Sequence, residues 1–149
     1  MKDAFGGIMN LAMIVVFLLI AIGTLALTVS YTKAFKMKNY VISTIEQYEG
    51  LNCFKSEGSS NCYSRIVEHA ESIGYHPTVM SCTNKVGNYY CYEYKDSDDG
   101  NGYYYTITTQ VDINFPIVNK IFSTSVFRVS GDTKVFSKTW YSSSDVIGG

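Results

Sequence analysis

IMNLAMIVVFLLIAIGTLALTV, residues 8–29, holds no charged side chain, and none occurs between Asp3 and Lys33. A bilayer's hydrocarbon core takes roughly 20 apolar residues of helix, and this run meets that length. Lipid offers no partner to backbone N–H and C=O groups, so a lone spanning segment satisfies them internally as an α-helix. The run predicts a transmembrane helix over residues 8–32, preceded by a short tail at 1–7. A cleaved secretory signal is the rival, but its apolar region is shorter, about 7–15 residues. Thr24 and Ala26 are the small residues such a cut would use.

The helix is predicted to run on past the membrane. No Gly or Pro occurs between Ser30 and Glu49. Ala34, Met37, Val41, Ile45 and Tyr48 recur at spacings of three and four, which places them on one helical face. The pattern predicts one continuous helix from about residue 8 to 48, its extension covering 33–49 and Gly50 serving as the C′ stop. Met37, Val41, Ile45 and Tyr48 are the expected packing face against the chain's own domain.

That domain occupies residues 50–149. Net charge is −1, from 12 basic and 13 acidic residues, and Arg65 and Arg128 are the only arginines. This balance gives no electrostatic basis for binding nucleic acid. The four cysteines form no CxxC pair; they read Cys53-x8-Cys62 and Cys82-x8-Cys91. Structural zinc sites use ligand pairs two to four residues apart, so a metal centre is disfavoured. Short loops close easily, which favours the disulfides Cys53–Cys62 and Cys82–Cys91. Pairings that join the loop to the strands stay open. An even cysteine count in a small domain points to an oxidising, extracytoplasmic compartment. Lys33, Lys36 and Lys38, following the span, pull the other way by the positive-inside rule. The expectation is a single-pass protein of the cell membrane with its C-terminal domain outside.

The expected fold class is α+β. A helix is predicted from Cys62 to Ile73, with Asn61 as N-cap and Gly74 as terminator. Strands are predicted over 78–83 and 88–95 around a turn at Asn84–Gly87. Residues 103–115 alternate apolar and polar side chains, the pattern of a strand buried on one face, and Pro116 ends it. A last hairpin, 121–130 and 133–140, is predicted around Gly131 and Asp132. The sum is a long transmembrane helix with an amphipathic continuation, one short helix and a four- to five-stranded antiparallel sheet.

No pattern of catalytic or cofactor chemistry stands out. DSDDGNG, residues 96–102, resembles a calcium loop, but the register ending at Gly102 starts on Ser97 and puts Thr108 where a bidentate Glu belongs. His69 and His76 lie in no HExxH pattern and read as surface histidines. The expectation is a protein that is not an enzyme and holds no cofactor. Seven tyrosines crowd residues 89–105. They stabilise a sheet or form a sticky platform for protein or glycan, for which Tyr90, Tyr92, Tyr94 and Tyr104 are the candidates.

The layout resembles the type IV pilin superfamily, and within it the small TadE-like minor pilins or pseudopilins: a short polar N-terminus, one long apolar helix, an amphipathic continuation and a cysteine-bearing sheet. It is also similar to Gram-positive families with one N-terminal anchor and a small outer domain. Residues 103–116 look like the strand and Pro-containing break that follow the cysteines in the TadE-like group. Pilins usually carry a glutamate at the fifth mature position; a cut after Gly7 would put Ala12 there. The resemblance implies a membrane-anchored structural or interaction subunit of a surface or secretion assembly, self-associating through its N-terminal helix. The alternative is a monomeric receptor or adhesin using the tyrosine-rich sheet.

Overall fold

The computed structural model describes residues 2–50, 52–54, 61–78, 80–112 and 126–138. The first element, α1, is a single α-helix of 46 residues, Lys2–Gln47. At 1.5 Å per residue it is about 70 Å long. It begins at Lys2, so residues 2–7, expected as a tail, belong to the helix, and its stop differs from expectation by one residue. Gly50 N–H bonds the Ile45 carbonyl at 2.9 Å, which makes Gly50 the C″ residue and Glu49, at φ 50°, the left-handed C′. The second helix, α2, spans Asn61–Ser72. Gly74 (φ 63°) is its C′: Gly74 N–H bonds Glu71 O and Tyr75 N–H bonds Ala70 O, the two bonds of a Schellman motif.

Five strands follow: β1 (Lys85–Val86), β2 (Tyr90–Asp96), β3 (Gly102–Asp112), β4 (Val126–Asp132) and β5 (Phe136–Ser137). They form one antiparallel sheet in the order β1-β2-β3-β4, with β5 also on β3. The register pairs Tyr94 with Tyr105 and Thr108 with Ser130. Period-two geometry sends Tyr103, Tyr105, Ile107, Thr109 and Val111 to the inner face, where all are buried. Thr106, Thr108 and Gln110 face the other way.

The inner face meets the C-terminal half of α1. Ala34, Met37, Val41 and Ile45 are fully buried there. The Thr109 hydroxyl donates to the Ala34 carbonyl at 3.0 Å across the seam. Gly131 lies so close to the helix that a Cβ would stand 3.1 Å from both Ile42 and Lys38 side-chain atoms. α2 packs beside α1, with His69 stacked on Tyr40 at 3.7 Å between ring centroids. Disulfides join Cys53 to Cys62 and Cys82 to Cys91.

Two predicted hairpins are rearranged. Residues 80–83, expected as part of a strand over 78–83, are not a strand; Lys85–Val86, read as part of a turn, is β1, and Gly87–Tyr89 make the turn. Gly131 and Asp132 are strand residues paired with Ile107 and Thr106, not a turn. The chain instead loops out over 133–135 and rejoins the same edge of β3 as β5. Glu46 on α1 anchors that excursion, its carboxylate accepting from Lys134 N–H at 2.6 Å. The stretches 113–116, 121–125 and 139–149, with most of the 51–60 loop, lie outside the described residues.

The seam generates a test. Val41→Asp buries an unpaired carboxylate between helix and sheet, and should lower unfolding free energy by about 3 kcal/mol or more. Asn39→Asp, on the exposed face two residues earlier, should change it by less than about 0.5 kcal/mol. Urea unfolding of the detergent-solubilised full chain checks the pair; equal losses would contradict the packing.

Candidate functional site

Three surfaces stand out. The first is the N-terminal half of α1. The helix over Gly7–Gln47 is long and apolar enough to cross a membrane, and its most apolar window is wholly unburied. Met13 and Phe17 are each 71% exposed. Residues 8–29 measure about 33 Å along the axis, close to a bilayer core. Thr24, Thr28 and Thr32 donate their hydroxyls to carbonyls one turn earlier, at 2.8–2.9 Å, so their hydrogens are satisfied inside the helix. Asn10 is the exception, an exposed amide on the apolar surface.

The second is the aromatic cluster. The four candidate tyrosines do not form one platform: alternation sends Tyr104 to the outer face, and burial divides Tyr90, Tyr92 and Tyr94. Tyr90 is fully buried and donates to the Cys53 carbonyl, which removes it from any surface. Tyr92 is half-buried against Phe54, with ring centroids 4.3 Å apart. Tyr94 is 40% exposed and is held over the Tyr103 ring at 5.5 Å, its hydroxyl donating to Asp96 at 3.0 Å. Lys138, 2.7 Å from Asp96, and that Tyr94 bond hold the carboxyl below its usual range. Tyr104 stands on the outer face opposite Lys95, half-buried. The cluster thus works mainly inward, joining Phe54, Tyr92, Tyr94, Tyr103, Tyr105 and Phe136.

The third surface was not legible in the sequence: a polar cleft of about 390 Å³ on the outer face, lined by Ser81, Asn84, Thr106, Thr108, Arg128 and Ser130 among others. Its roof is the segment 81–84, the first three residues of which the sequence predicts as the end of the strand 78–83. Outward-facing side chains capture that segment in place of a backbone ladder. Gln110, fully buried, accepts from Ser81 N–H at 3.3 Å, and Arg128 donates to Ser81 O at 3.0 Å. The Cys82–Cys91 bond ties its far end to β2.

Of the expected helix face, Met37, Val41 and Ile45 are buried, while Tyr48 is half-buried and accepts from Arg65 at 3.4 Å. His69 is not a plain surface histidine; burial against Tyr40 holds its pKa below the ordinary value. The 96–102 turn closes through backbone bonds, Ser97 N–H to Gly102 O and Gly100 N–H to Ser97 O, both 2.9 Å. Among the described residues no group of three His, Cys, Asp or Glu side chains is placed to hold a metal ion. No protein-family model, curated protein or solved structure matches the chain. Its architecture, a long apolar N-terminal helix packed on a disulfide-bonded antiparallel sheet, is pilin-like.

Burial first, and neighbouring tyrosines second, push the Tyr90 and Tyr105 phenols well above the ordinary value of 10. Above about pH 10 the unfolded chain sheds both protons and the native chain keeps them, so stability falls as pH rises further. The slope approaches about 1.4 kcal/mol per pH unit for each tyrosine. Urea unfolding at about pH 9 and pH 11 should show the loss, with part of the tyrosinate absorbance appearing only on unfolding. Full tyrosine ionisation in the folded protein would contradict the buried placement.

Proposed function

We propose that this chain is a membrane-anchored, pilin-like subunit of a cell-surface or secretion-type assembly, structural rather than catalytic, with its disulfide-bonded domain on the extracytoplasmic side. The observation that carries the reading is the continuity of α1. One helix presents an uncovered apolar surface over residues 8–29 and then becomes part of the domain's core. A signal destined for removal has no need to be continuous with the folded core. Tyr31 and Phe35 are exposed where the apolar surface ends, at the level expected for an aromatic belt. The two disulfides suit an oxidising compartment.

Self-association in lipid has no hydrophobic drive and depends on close packing and polar contacts. Ala12 stands where the pilin glutamate would fall, so the polar contact falls to Asn10, with Ala21, Gly23 and Ala26 permitting close approach. A second reading, a monomeric surface receptor, draws on the polar cleft rather than on the tyrosines.

Cross-linking of the full chain in lipid vesicles tests the choice. The subunit reading predicts dimers and larger species, and Asn10→Leu should reduce them about fivefold, within the range for one interhelical hydrogen bond. Monomer alone at every protein-to-lipid ratio would favour the receptor. Recovery of the domain in the soluble fraction without residues 8–29 would contradict anchoring.

A further inference from the structure

The point where α1 leaves the apolar stretch carries a second binding feature. Among the described residues, the turn that ends α2 touches the helix there. Lys33 donates its ammonium to the Gly74 carbonyl at 3.2 Å. Between this turn and α1 lies a cleft of about 370 Å³, lined by Thr28, Val29, Thr32, Lys33, Lys36 and Ile73. Its wall is apolar on the side of Val29 and Ile73. Thr28 and Thr32 have committed their hydrogens to helix carbonyls, so the donors left are the two ammonium groups. No carboxylate lines the cleft, and neither lysine forms an ion pair among the described residues. Lys38 adds a third cation near the same level, 4.5 Å above the Phe35 ring.

We propose that this cleft seats the headgroup of an anionic glycerophospholipid from the adjoining leaflet. The phosphodiester would lie between Lys33 and Lys36, with the glycerol and first methylenes against Val29 and Ile73. This rests on the membrane-anchor reading above. Three facts support a lipid over a soluble anion: the cleft opens at the edge of the apolar helix surface, four of its six lining residues are apolar or hydrogen-committed, and among the described residues its charges are positive. The site also gives the lysines a role on the outer side of the membrane, where the positive-inside rule leaves them unexplained. Charge attraction of this kind adds on the order of fivefold to association for each lysine near the surface.

The test uses the full chain in phosphatidylcholine vesicles with a minor fraction of phosphatidylglycerol. Lipids retained on the protein after detergent release are counted by native mass spectrometry. The wild-type chain should enrich phosphatidylglycerol over its bulk fraction. Lys36→Gln, at an exposed position, should cut the enrichment about fivefold, and Lys33→Gln with Lys36→Gln should abolish it. Lys85→Gln, on β1, should leave it unchanged. Equal enrichment in wild type and double variant overturns the site. So does protection of both lysines from acylation by inorganic phosphate in pure phosphatidylcholine vesicles, which would mark a soluble-anion site. A chain that fails to float with vesicles of either composition overturns the anchor reading itself. One that floats with both but shows no lipid preference overturns only the lipid site.

Discussion

The seam between the C-terminal half of α1 and the inner face of β3 and β4 supports the rest of the molecule. Ala34, Met37, Val41 and Ile45 are fully buried in it. Burial of side chains of the latter three types contributes about 1.5–3 kcal/mol each, an upper estimate for a chain that is partly collapsed when unfolded. The geometry is close because Gly131 brings no side chain and because Thr109 spends its hydroxyl on a helix carbonyl. A single sheet with one bare apolar face is not a domain; α1 and α2 supply the second layer. The same helix that completes the core therefore presents an apolar surface over residues 8–29. Its surface changes from apolar to amphipathic near residues 30–36.

The sheet's other features follow from how little it can bury. Two disulfides, each closing a loop of nine-residue separation, remove unfolded-state entropy worth about 2–3 kcal/mol apiece in the chain-entropy account. Aromatic contacts among Phe54, Tyr92, Tyr94, Tyr103, Tyr105 and Phe136 add area at the end of the sheet away from the apolar helix. The outer face stays polar, and Gln110 and Arg128 hold the 78–84 segment across it through hydrogen bonds.

What was legible in the sequence was periodicity carried over distance. The unbroken 8–48 helix, the three-four stripe through Met37, Val41 and Ile45, and the long alternation from Tyr103 left little choice of structure. Short-range signals misled where tertiary contacts decided. Gly131 reads as a turn glycine, but what it provides is the absence of a Cβ beside Ile42 and Lys38. Residues 78–83 have strand-like composition, yet the Ser81 backbone is held by side chains of β3 and β4, which no local pattern encodes. Tyr90 looks like its neighbours, and only the register with its burial beneath the Cys53 loop separates it from Tyr94. Of the candidate surfaces, the apolar helix was readable from composition. The two clefts were not, because their walls come from segments far apart in the chain.

A membrane-anchored subunit of the kind proposed requires α1 to be one rigid rod from the lipid phase into the core. Hydrogen–deuterium exchange of the full chain in lipid vesicles reads this directly. The account predicts slow amide exchange without interruption from Ile8 through Gln47, residues 30–38 included, where a hinge would otherwise sit. Fast exchange confined to that stretch, with protection on either side, would mean that anchor and domain are separate units, and the claim of a shared helix would be contradicted.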